Sequence, residues 1–292
     1  MKENEISGYI LLNKKSGITS FSSLEAIKKT LHTRKVGHTG TLDKFATGLL
    51  IALVGKASKL SPYFLNCDKK YQGTILFGTE TDTLDSEGNI IAEGKIPLQE
   101  EIQEILPQFT GKIMQSPPEY SAIHIQGKRA SDLARKQTSP ANIEMQKRQV
   151  TVYKLVLCSY NPPNANIFVH CSKGTYIRSL ARDIAHALNT HAHLISLNRT
   201  HIADFSLEEA HEQSLKTLDK TTFEKLHIPY LEVSDKIAID IIHGKPLEKL
   251  IAHKDEKILA IFRSSTKDFI GIIENKDKVW QYGYVYARHQ WL

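Results

Sequence analysis

The stretch VGHTGTLDKFATGLL (residues 36–50) places a single carboxylate, Asp43, among glycines, threonines and apolar residues. The run LLIALVG (49–55), which overlaps its end, is predicted to be buried because it contains no charged residue. The glycines at positions 37, 40 and 48 indicate a loop before that run. Asp43 is therefore either a turn residue that caps its own loop or a group that requires a shaped, poorly solvated pocket.

Basic residues are concentrated around this stretch. Residues 1–60 contain ten Lys and Arg residues against four acidic ones, and this difference of six equals the net charge of the whole 292-residue chain, +6. The excess predicts a polyanionic partner, with solvated lysines on helix faces as the alternative. Apolar residues make up 41% of the chain, which is enough for a globular protein with a real core.

Other classes of protein are not favoured. The three cysteines are too few and too scattered for a disulfide framework, and neither C-x-x-C nor H-E-x-x-H occurs, so we predict no metal site. DTLDSEGN (82–89) departs from the spacing of a calcium loop and predicts a polar turn. The N-terminus resembles no signal peptide, and no run approaches 18 apolar residues, so we expect a reduced cytoplasmic protein without a membrane partner.

The periodicity along the chain predicts both strands and helices. GYILLNKK (8–15) and KKYQGTILFG (69–78) favour strands, whereas SSLEAIKKTL predicts a helix that begins with a capping box between Ser22 and Glu25. TYIRSLARDIAHAL (175–188) predicts an amphipathic helix. Because strands and helices do not alternate strictly, we predict an α+β fold with a mixed, largely antiparallel sheet flanked by helices.

At GHTGTLDKFATGLL the sequence resembles the catalytic block of the TruB family of tRNA pseudouridine synthases. Further segments resemble other blocks of this family, in family order and at compatible spacing, from about residue 8 to about residue 200. These segments are GYILLNKKSGITSF (8–21), KKYQGTILFGTETDTLDSEGN (69–89), PPEYSAIHIQGKRASDLAR (117–135), CSKGTYIRSLARDIA (171–185) and AHLISLNRT (192–200). Chance explains agreement in one segment but not in all of them, so the resemblance implies the sheet of the pseudouridine synthase fold.

The resemblance implies a cofactor-independent isomerase that converts the T-loop uridine of tRNA, at position 55, to pseudouridine. The reaction moves a glycosidic bond from a ring nitrogen to a ring carbon, so it requires a nucleophile or an ion-pair stabiliser. Asp43 is the implied catalytic carboxylate, and Arg178 resembles the arginine that pairs with it. A guanidinium would keep a carboxylate ionised in an apolar pocket. The alternatives are a loop-capping aspartate and a surface arginine.

The uridine must be flipped out of the folded RNA before chemistry, and the resemblance implies the residues that receive it. Tyr71 resembles the tyrosine that stacks on the flipped uracil and later moves protons, and Tyr176 a second tyrosine of the pocket. His38 resembles a histidine near the flipped nucleotide, and Leu197 a backbone contact to the uracil edge. The alternatives are core tyrosines, a hydrogen-bonded loop histidine and a core leucine.

Basic residues outside the pocket resemble contacts to the RNA backbone. The segment over about 112–148 looks like the insertion that family members place against the T-arm, with solvated helix residues as the alternative. Lys44 follows Asp43, at the position where the family usually has proline. The absence of this proline would loosen the loop. The predicted backbone contacts are Lys14, Lys15, Lys128, Arg129 and Arg135.

The sequence changes in character near residue 232, where three short strand candidates follow one another. We expect a catalytic domain over 1–231 and a small β-rich domain over 232–292. The second domain is short for a PUA-type RNA-binding domain, and its charge is nearly balanced, so we assign it no strong role in binding RNA. A monomer is expected. The rival functions are an RNA chaperone that folds tRNA without catalysis and, less favoured, a guide-RNA-dependent synthase.

Overall fold

The computed structural model of the chain describes residues 6–121, 124–125, 128–129, 146–211, 214–249 and 256–286. In these residues the α-helices are α1 (Glu25–Thr30), α2 (Ser61–Leu65), α3 (Gln99–Ile105), α4 (Ile177–Ala187), α5 (Lys220–Lys225) and α6 (Asp235–Ile242). The strands are β1 (Gly8–Lys14), β2 (Val36–His38), β3 (Thr47–Val54), β4 (Lys69–Phe77), β5 (Thr79–Thr81), β6 (Ile90–Glu93), β7 (Gly111–Gln115), β8 (His124–Ile125), β9 (Lys128–Arg129), β10 (Arg148–Asn161), β11 (Asn164–Cys171), β12 (Ala192–Ile202), β13 (Phe205–Ser206), β14 (Tyr230–Val233), β15 (Ile258–Arg263), β16 (Phe269–Lys276) and β17 (Val279–Val285).

The main sheet has nine strands in the described part of the chain. Seven lie side by side in the order β1-β3-β12-β4-β11-β10-β7, while β2 pairs with β3 and β13 pairs with β12. Neighbouring strands are antiparallel, except that β12 runs parallel to β3 at Asn198–Thr47 and Arg199–Gly48. The predicted α+β class with a mixed, largely antiparallel sheet is confirmed.

Strand β3 is buried on both faces, which explains its continuous apolar sequence. Leu49, Ile51 and Leu53 point into one hydrophobic cluster. Leu50, Ala52 and Val54 alternate with them and pack into another cluster, which also contains residues of β1 and α1. Because this strand carries the chain directly out of the Asp43 loop, the loop is attached to one of the most fully buried strands of the fold.

Helix α4 packs its apolar face onto the centre of the main sheet. Ile177, Leu180, Ala181 and Ile184 lie in one core cluster together with residues of β4, β11 and β12. The predicted amphipathic helix is therefore confirmed. Its N-terminus faces the Asp43 loop, and Arg178, on the first turn, is only 4% exposed.

Two features differ from the sequence-based expectations. The helix predicted after Phe21 starts as a 3₁₀ turn over Ser22–Leu24, and the predicted capping box is wrong: the Ser22 N–H donates to Thr19 Oγ1 (3.0 Å). Thr19 therefore caps this turn. The sequence analysis predicts no secondary structure for residues 192–200 (AHLISLNRT), whereas the structure places them in β12, a central strand. The inward side chains of this strand alternate with polar ones.

The C-terminal β-rich region forms a four-stranded sheet in the order β14-β15-β16-β17. One face packs under α6, with Ile261, Ile270 and Trp280 in the cluster. The other face joins a cluster that also contains residues of the main sheet. The sheet starts at Tyr230, two residues before the predicted boundary, and the division into domains stays a prediction. No helix of the described residues combines the length and apolar character needed to cross a membrane.

We expect Gly48→Ala to reduce the free energy of unfolding by about 3 kcal/mol or more. Gly48 has a φ of +110°, and a Cβ there would lie 2.4 Å from the Arg199 carbonyl oxygen where β3 and β12 run parallel. Urea denaturation of both proteins measures the effect.

Gly244→Ala is the matched control for this substitution. Gly244 also has a positive φ, +72°, but a Cβ there would meet nothing within 4 Å. We expect a loss of about 1 kcal/mol from backbone strain alone. Equal losses at the two positions would contradict the close approach of β3 to β12.

Candidate active site

A cleft of about 860 Å³ opens at the junction of the Asp43 loop, β4, β12 and the N-terminus of α4. The residues that the resemblance places around the flipped base come from four separate segments of the sequence. All of them line this one cleft: His38, Asp43, Tyr71, Tyr176, Arg178 and Leu197.

Asp43 and Arg178 form a two-point ion pair at this cleft. Arg178 Nε donates to Asp43 Oδ2 at 2.9 Å, and Arg178 Nη2 donates to Oδ1 at 3.0 Å. The guanidinium is 4% exposed, whereas the Asp43 side chain retains 36% exposure. The arginine thus lies behind the carboxylate, and the carboxylate faces the open cleft. Such paired, charge-assisted hydrogen bonds fix orientation as well as charge.

The remaining donors of Arg178 tie two other segments to the same point. Nη1 donates to the Thr83 carbonyl oxygen at 2.6 Å, and Nη2 to the Tyr120 carbonyl oxygen at 2.9 Å. Asp85 Oδ2, which is buried, lies 3.3 Å from Nη1. Asp85 belongs to the segment predicted to be only a polar turn, so sequence reasoning missed its contact with Arg178.

The electrostatics of Asp43 come from two opposing effects. Burial raises the pKa of the Asp43 carboxyl, and the negative charge of Asp85 adds to the rise, while the Arg178 guanidinium opposes it. Because both carboxyl oxygens accept hydrogen bonds from a guanidinium, the ionised form is the one that this geometry holds. The site therefore contains an ionised carboxylate with restricted solvation.

The backbone on either side of Asp43 is held by side chains from the N-terminal segment. Ser20 Oγ donates to the Leu42 carbonyl oxygen at 3.0 Å and accepts from the Leu42 N–H at 2.8 Å. Ser16 Oγ donates to the Phe45 carbonyl oxygen at 2.8 Å. Leu42 and Phe45 are themselves buried in the core cluster below the cleft. The segment that resembles the family's N-terminal block thus shapes the Asp43 loop.

Lys14 requires a correction, because it was predicted to contact the RNA backbone. The side chain is 1% exposed, and its Nζ donates to the carbonyl oxygens of Lys15 (2.9 Å), Ile18 (2.8 Å) and Lys44 (3.2 Å). Burial lowers the pKa of this ammonium group. In this structure Lys14 is a buried cross-link between the N-terminal segment and the loop, with no free face for a phosphate.

The loop is also held where the family usually has proline. The Lys44 carbonyl oxygen accepts from the Gly17 N–H at 2.9 Å, in addition to Lys14 Nζ. The exposed ammonium group of Lys44 lies 3.5 Å from Glu87 Oε1. These two hydrogen bonds hold the Lys44 peptide, and the predicted effect of the missing proline stays a prediction.

Tyr71 lies across the cleft on β4 and is backed by a second buried arginine. Arg199 is 1% exposed and donates to the carbonyl oxygens of Leu49 (2.8 Å) and Gly40 (3.1 Å). Burial raises the pKa of Tyr71, and Arg199 opposes that rise. Arg199 lies within the last family-like segment, but sequence reasoning gave it no role.

His38 and Tyr176 both line the cleft. His38 Nδ1 is buried without a hydrogen-bond partner among the described residues, and burial lowers the pKa of its imidazole. Tyr176 immediately precedes α4, and the buried side chain of Gln115 accepts from its N–H (2.8 Å) and donates to its carbonyl oxygen (3.0 Å). An unpartnered imidazole nitrogen does not fit the alternative of a satisfied loop histidine.

Leu197 is 6% exposed and packs in the core cluster while lining the cleft, so its side chain is part of the core as the alternative interpretation had it. The backbone contact to uracil stays a prediction.

The predicted backbone contacts are only partly covered by the structure. Lys15 is exposed beside the cleft-forming segment. Lys128 and Arg129 form β9, which pairs with β8 in a short ribbon, and their side chains lie outside the described residues. Arg135 also lies outside them. The roles of these residues stay predictions.

Comparison with known proteins places this geometry in context. The family model described as TruB family pseudouridylate synthase (N terminal domain) matches residues 28–177. A protein of Borreliella burgdorferi (strain ZS7) named tRNA pseudouridine synthase B is 42% identical over 275 residues, covering 88% of this chain and 95% of the relative. A protein of the same name from Chromobacterium violaceum is 39% identical over 284 residues, covering 92% and 90%.

A solved structure shares the fold. The chain aligns with one in the crystal structure of a Cbf5-Nop10-Gar1 complex with a TM-score of 0.70 and 21% identity. The alignment covers 98% of this chain and 87% of that chain. At this identity the likeness concerns the fold alone.

We expect Lys14→Met to reduce the free energy of unfolding by about 2 kcal/mol, because three carbonyl oxygens around the loop lose their donor. Lys15→Met, at the exposed neighbouring position, is the control and should stay within about 0.5 kcal/mol of the native chain. Thermal and urea denaturation measure both. A larger loss at Lys15 than at Lys14 would contradict the assignment of Lys14 as the buried cross-link.

Proposed function

We propose that this chain, which belongs to the TruB family of pseudouridylate synthases, isomerises the T-loop uridine of tRNA at position 55 without a cofactor. The relatives named tRNA pseudouridine synthase B support tRNA as the substrate. The observation that carries the proposal is the Asp43 carboxylate, held at two points by Arg178 and open to a cleft.

The first step is the extrusion of the uridine from the T-loop. Unstacking a nucleotide costs a few kcal/mol, and stacking on an aromatic side chain recovers about 1–3 kcal/mol per base. We assign Tyr71 as the stacking surface, since it lines the cleft on a rigid central strand. Leu197 supplies an apolar wall beside it. His38, kept neutral by its lowered pKa, is assigned as a residue beside the flipped nucleotide.

The second step is the exchange of the glycosidic bond. The carboxylate of Asp43 forms a bond to C1′ or to the uracil ring, and the bond between C1′ and the ring nitrogen breaks. The uracil turns, its C5 bonds to C1′, and the bond to Asp43 breaks, which restores the carboxylate. Attack on C1′ and attack on the ring use the same positioned carboxylate. Arg178 keeps that carboxylate ionised and aimed, so binding need not reorganise the nucleophile.

The final step releases the proton from C5. The phenol of Tyr71 is protonated at neutral pH, as tyrosine ordinarily is, and burial raises its pKa further. The positive charge of Arg199 opposes that rise and favours the phenolate, and we assign Tyr71 as the group that passes its own proton to solvent and takes the proton from C5. The protein then returns to its starting state with no redox change and no consumed cofactor.

Chemical mapping of pseudouridine in a tRNA transcript tests this function. The native chain should convert the uridine at position 55, whereas a transcript with cytidine at that position should gain no pseudouridine anywhere. Conversion at another position would overturn the proposed specificity. Tight tRNA binding without any pseudouridine would favour the chaperone function instead.

We expect Arg178→Ala to lower turnover by at least about 100-fold with little change in tRNA affinity, because the arginine contacts Asp43 and backbone carbonyls behind the cleft. Arg182→Ala, on the same helix, is the control: Arg182 pairs with Asp183 and the Ser116 carbonyl oxygen. Single-turnover rates and filter binding measure the two quantities. Equal losses of rate and affinity in Arg178→Ala would identify the arginine as a phosphate contact.

The pH dependence of turnover should reflect the raised pKa of Asp43. The reaction requires the carboxylate, so the rate falls as the pH drops through that pKa, above the usual range of an aspartate. Arg178→Lys keeps the positive charge but loses the two-point contact, so less of the rise in the pKa of Asp43 is opposed. The fall in rate at acidic pH (the acid limb) should therefore begin at a higher pH in this variant. Single-turnover rates between about pH 4 and pH 8 measure the limb. An unmoved limb would contradict control of Asp43 by Arg178.

Charge removal at Lys128 and Arg129 should reduce the salt dependence of tRNA binding. We propose that these residues contact phosphates, and each lost contact lowers the slope of log affinity against log salt by about 0.9. Lys278→Gln, in the exposed turn before β17, is the control and should leave the slope unchanged. An unchanged slope in Lys128→Gln/Arg129→Gln would remove this ribbon from the RNA interface.

A further inference from the structure

Three metal-ligating side chains converge at a place that the proposed reaction does not use. Glu80 lies on β5, His186 on the last turn of α4, and His191 immediately before β12. Their ligand atoms all lie within 4.8 Å of one another. The three residues are separated by up to 111 positions in the sequence, so no short motif marks them.

The two imidazoles meet at one carboxylate oxygen. Glu80 Oε2 lies 2.6 Å from His186 Nε2 and 3.2 Å from His191 Nδ1. The rings are nearly perpendicular, at 84°, with centroids 5.6 Å apart. In a tetrahedral zinc site the ligand atoms lie about 3.3 Å apart, because each is about 2.0 Å from the metal. The distance from His191 Nδ1 to Glu80 Oε2 already matches this spacing. The distance from His186 Nε2 to Glu80 Oε2 would reach it after a shift of about 0.7 Å.

Charge and position favour a cation at this point. The Glu80 side chain is 11% exposed, and a buried carboxylate requires a positive partner or hydrogen bonds. His186 lies at the C-terminal end of an eleven-residue helix, where the helix dipole attracts positive charge. His186 and His191 remain partly open to solvent, at 47% and 34% exposure of their side chains, so an ion can enter.

We propose that Glu80, His186 and His191 bind a divalent transition metal of the Zn²⁺ class. Two imidazoles and one carboxylate form a set of ligands that zinc prefers, and solvent completes the fourth position. The site lies outside the cleft, and it differs from the sequence-based expectation that the chain holds no metal. That expectation rested on the absence of local motifs, which report only ligands close together in the sequence.

The metal would join two segments that also meet at Arg178. The helix that ends near His186 carries Arg178 on its first turn, eight residues or about 12 Å away. The segment that starts with Glu80 continues to Thr83 and Asp85, which contact Arg178. A metal at the far end therefore fixes the helix against the segment that supports the ion pair. We expect the bound metal to stabilise the packing of these two segments.

Zinc titration of the full-length, tag-free chain tests the proposal. We expect one Zn²⁺ per chain by isothermal titration calorimetry, and a rise of roughly 5 °C in the unfolding midpoint at saturating metal. Cobalt(II) substituted for zinc should give visible absorption bands without a thiolate charge-transfer band, because the proposed site contains no cysteine. Circular dichroism and melting of metal-free variants establish that each of them folds.

The variants locate the site. His186→Ala and His191→Ala should each weaken zinc binding at least tenfold and abolish the rise in the midpoint. His227→Ala is the control, because His227 Nε2 lies 2.7 Å from Asp204 Oδ2 in an exposed pair that offers only two ligands. The control should bind zinc as the native chain does. No stoichiometric binding by the native chain, or equal binding by all variants, would overturn the proposal and leave a hydrogen-bonded triad.

Discussion

The ion pair between the buried Arg178 guanidinium and the partly exposed Asp43 carboxylate is the constraint on which the rest of the site depends. A buried guanidinium needs acceptors for its donors, and Arg178 takes them from Asp43, Thr83, Tyr120 and Asp85. Four segments that are distant in sequence must therefore meet within hydrogen-bond distance. The active-site cleft is the space that remains in front of this arrangement, and Asp43 is the member of it that faces that space.

Two further buried cations extend the same principle. Lys14 donates to backbone carbonyl oxygens of the N-terminal segment and of the Asp43 loop. Arg199 donates to the carbonyl oxygens of Gly40 and Leu49, and its charge acts on Tyr71. Each replaces hydration with several oriented carbonyl dipoles, which makes the cation tolerable in the interior. Part of the positive charge in this sequence thus builds the catalytic loop from within, whereas exposed residues such as Lys15 remain free to meet an RNA.

The fold and the cleft were predictable from the sequence to different extents. The amphipathic pattern of 175–188 and the apolar run of β3 identified their elements, and the family-like segments identified six residues that do line one cleft. Asp85 was missed because a turn pattern does not show which arginine lies beside it. Arg199, Gln115 and the Glu80 cluster depend on contacts across strands, and Lys14 was misassigned because sequence does not report whether a lysine points inward.

The central claim is that Asp43 performs the rearrangement, and release of tritium from C5 of uracil tests it most directly. That carbon becomes the new glycosidic position, so pseudouridine formation must release its label to water. With a labelled tRNA transcript, the native chain should release tritium, and Asp43→Asn should release none while binding the tRNA with similar affinity. Release by Asp43→Asn at the native rate would contradict the account.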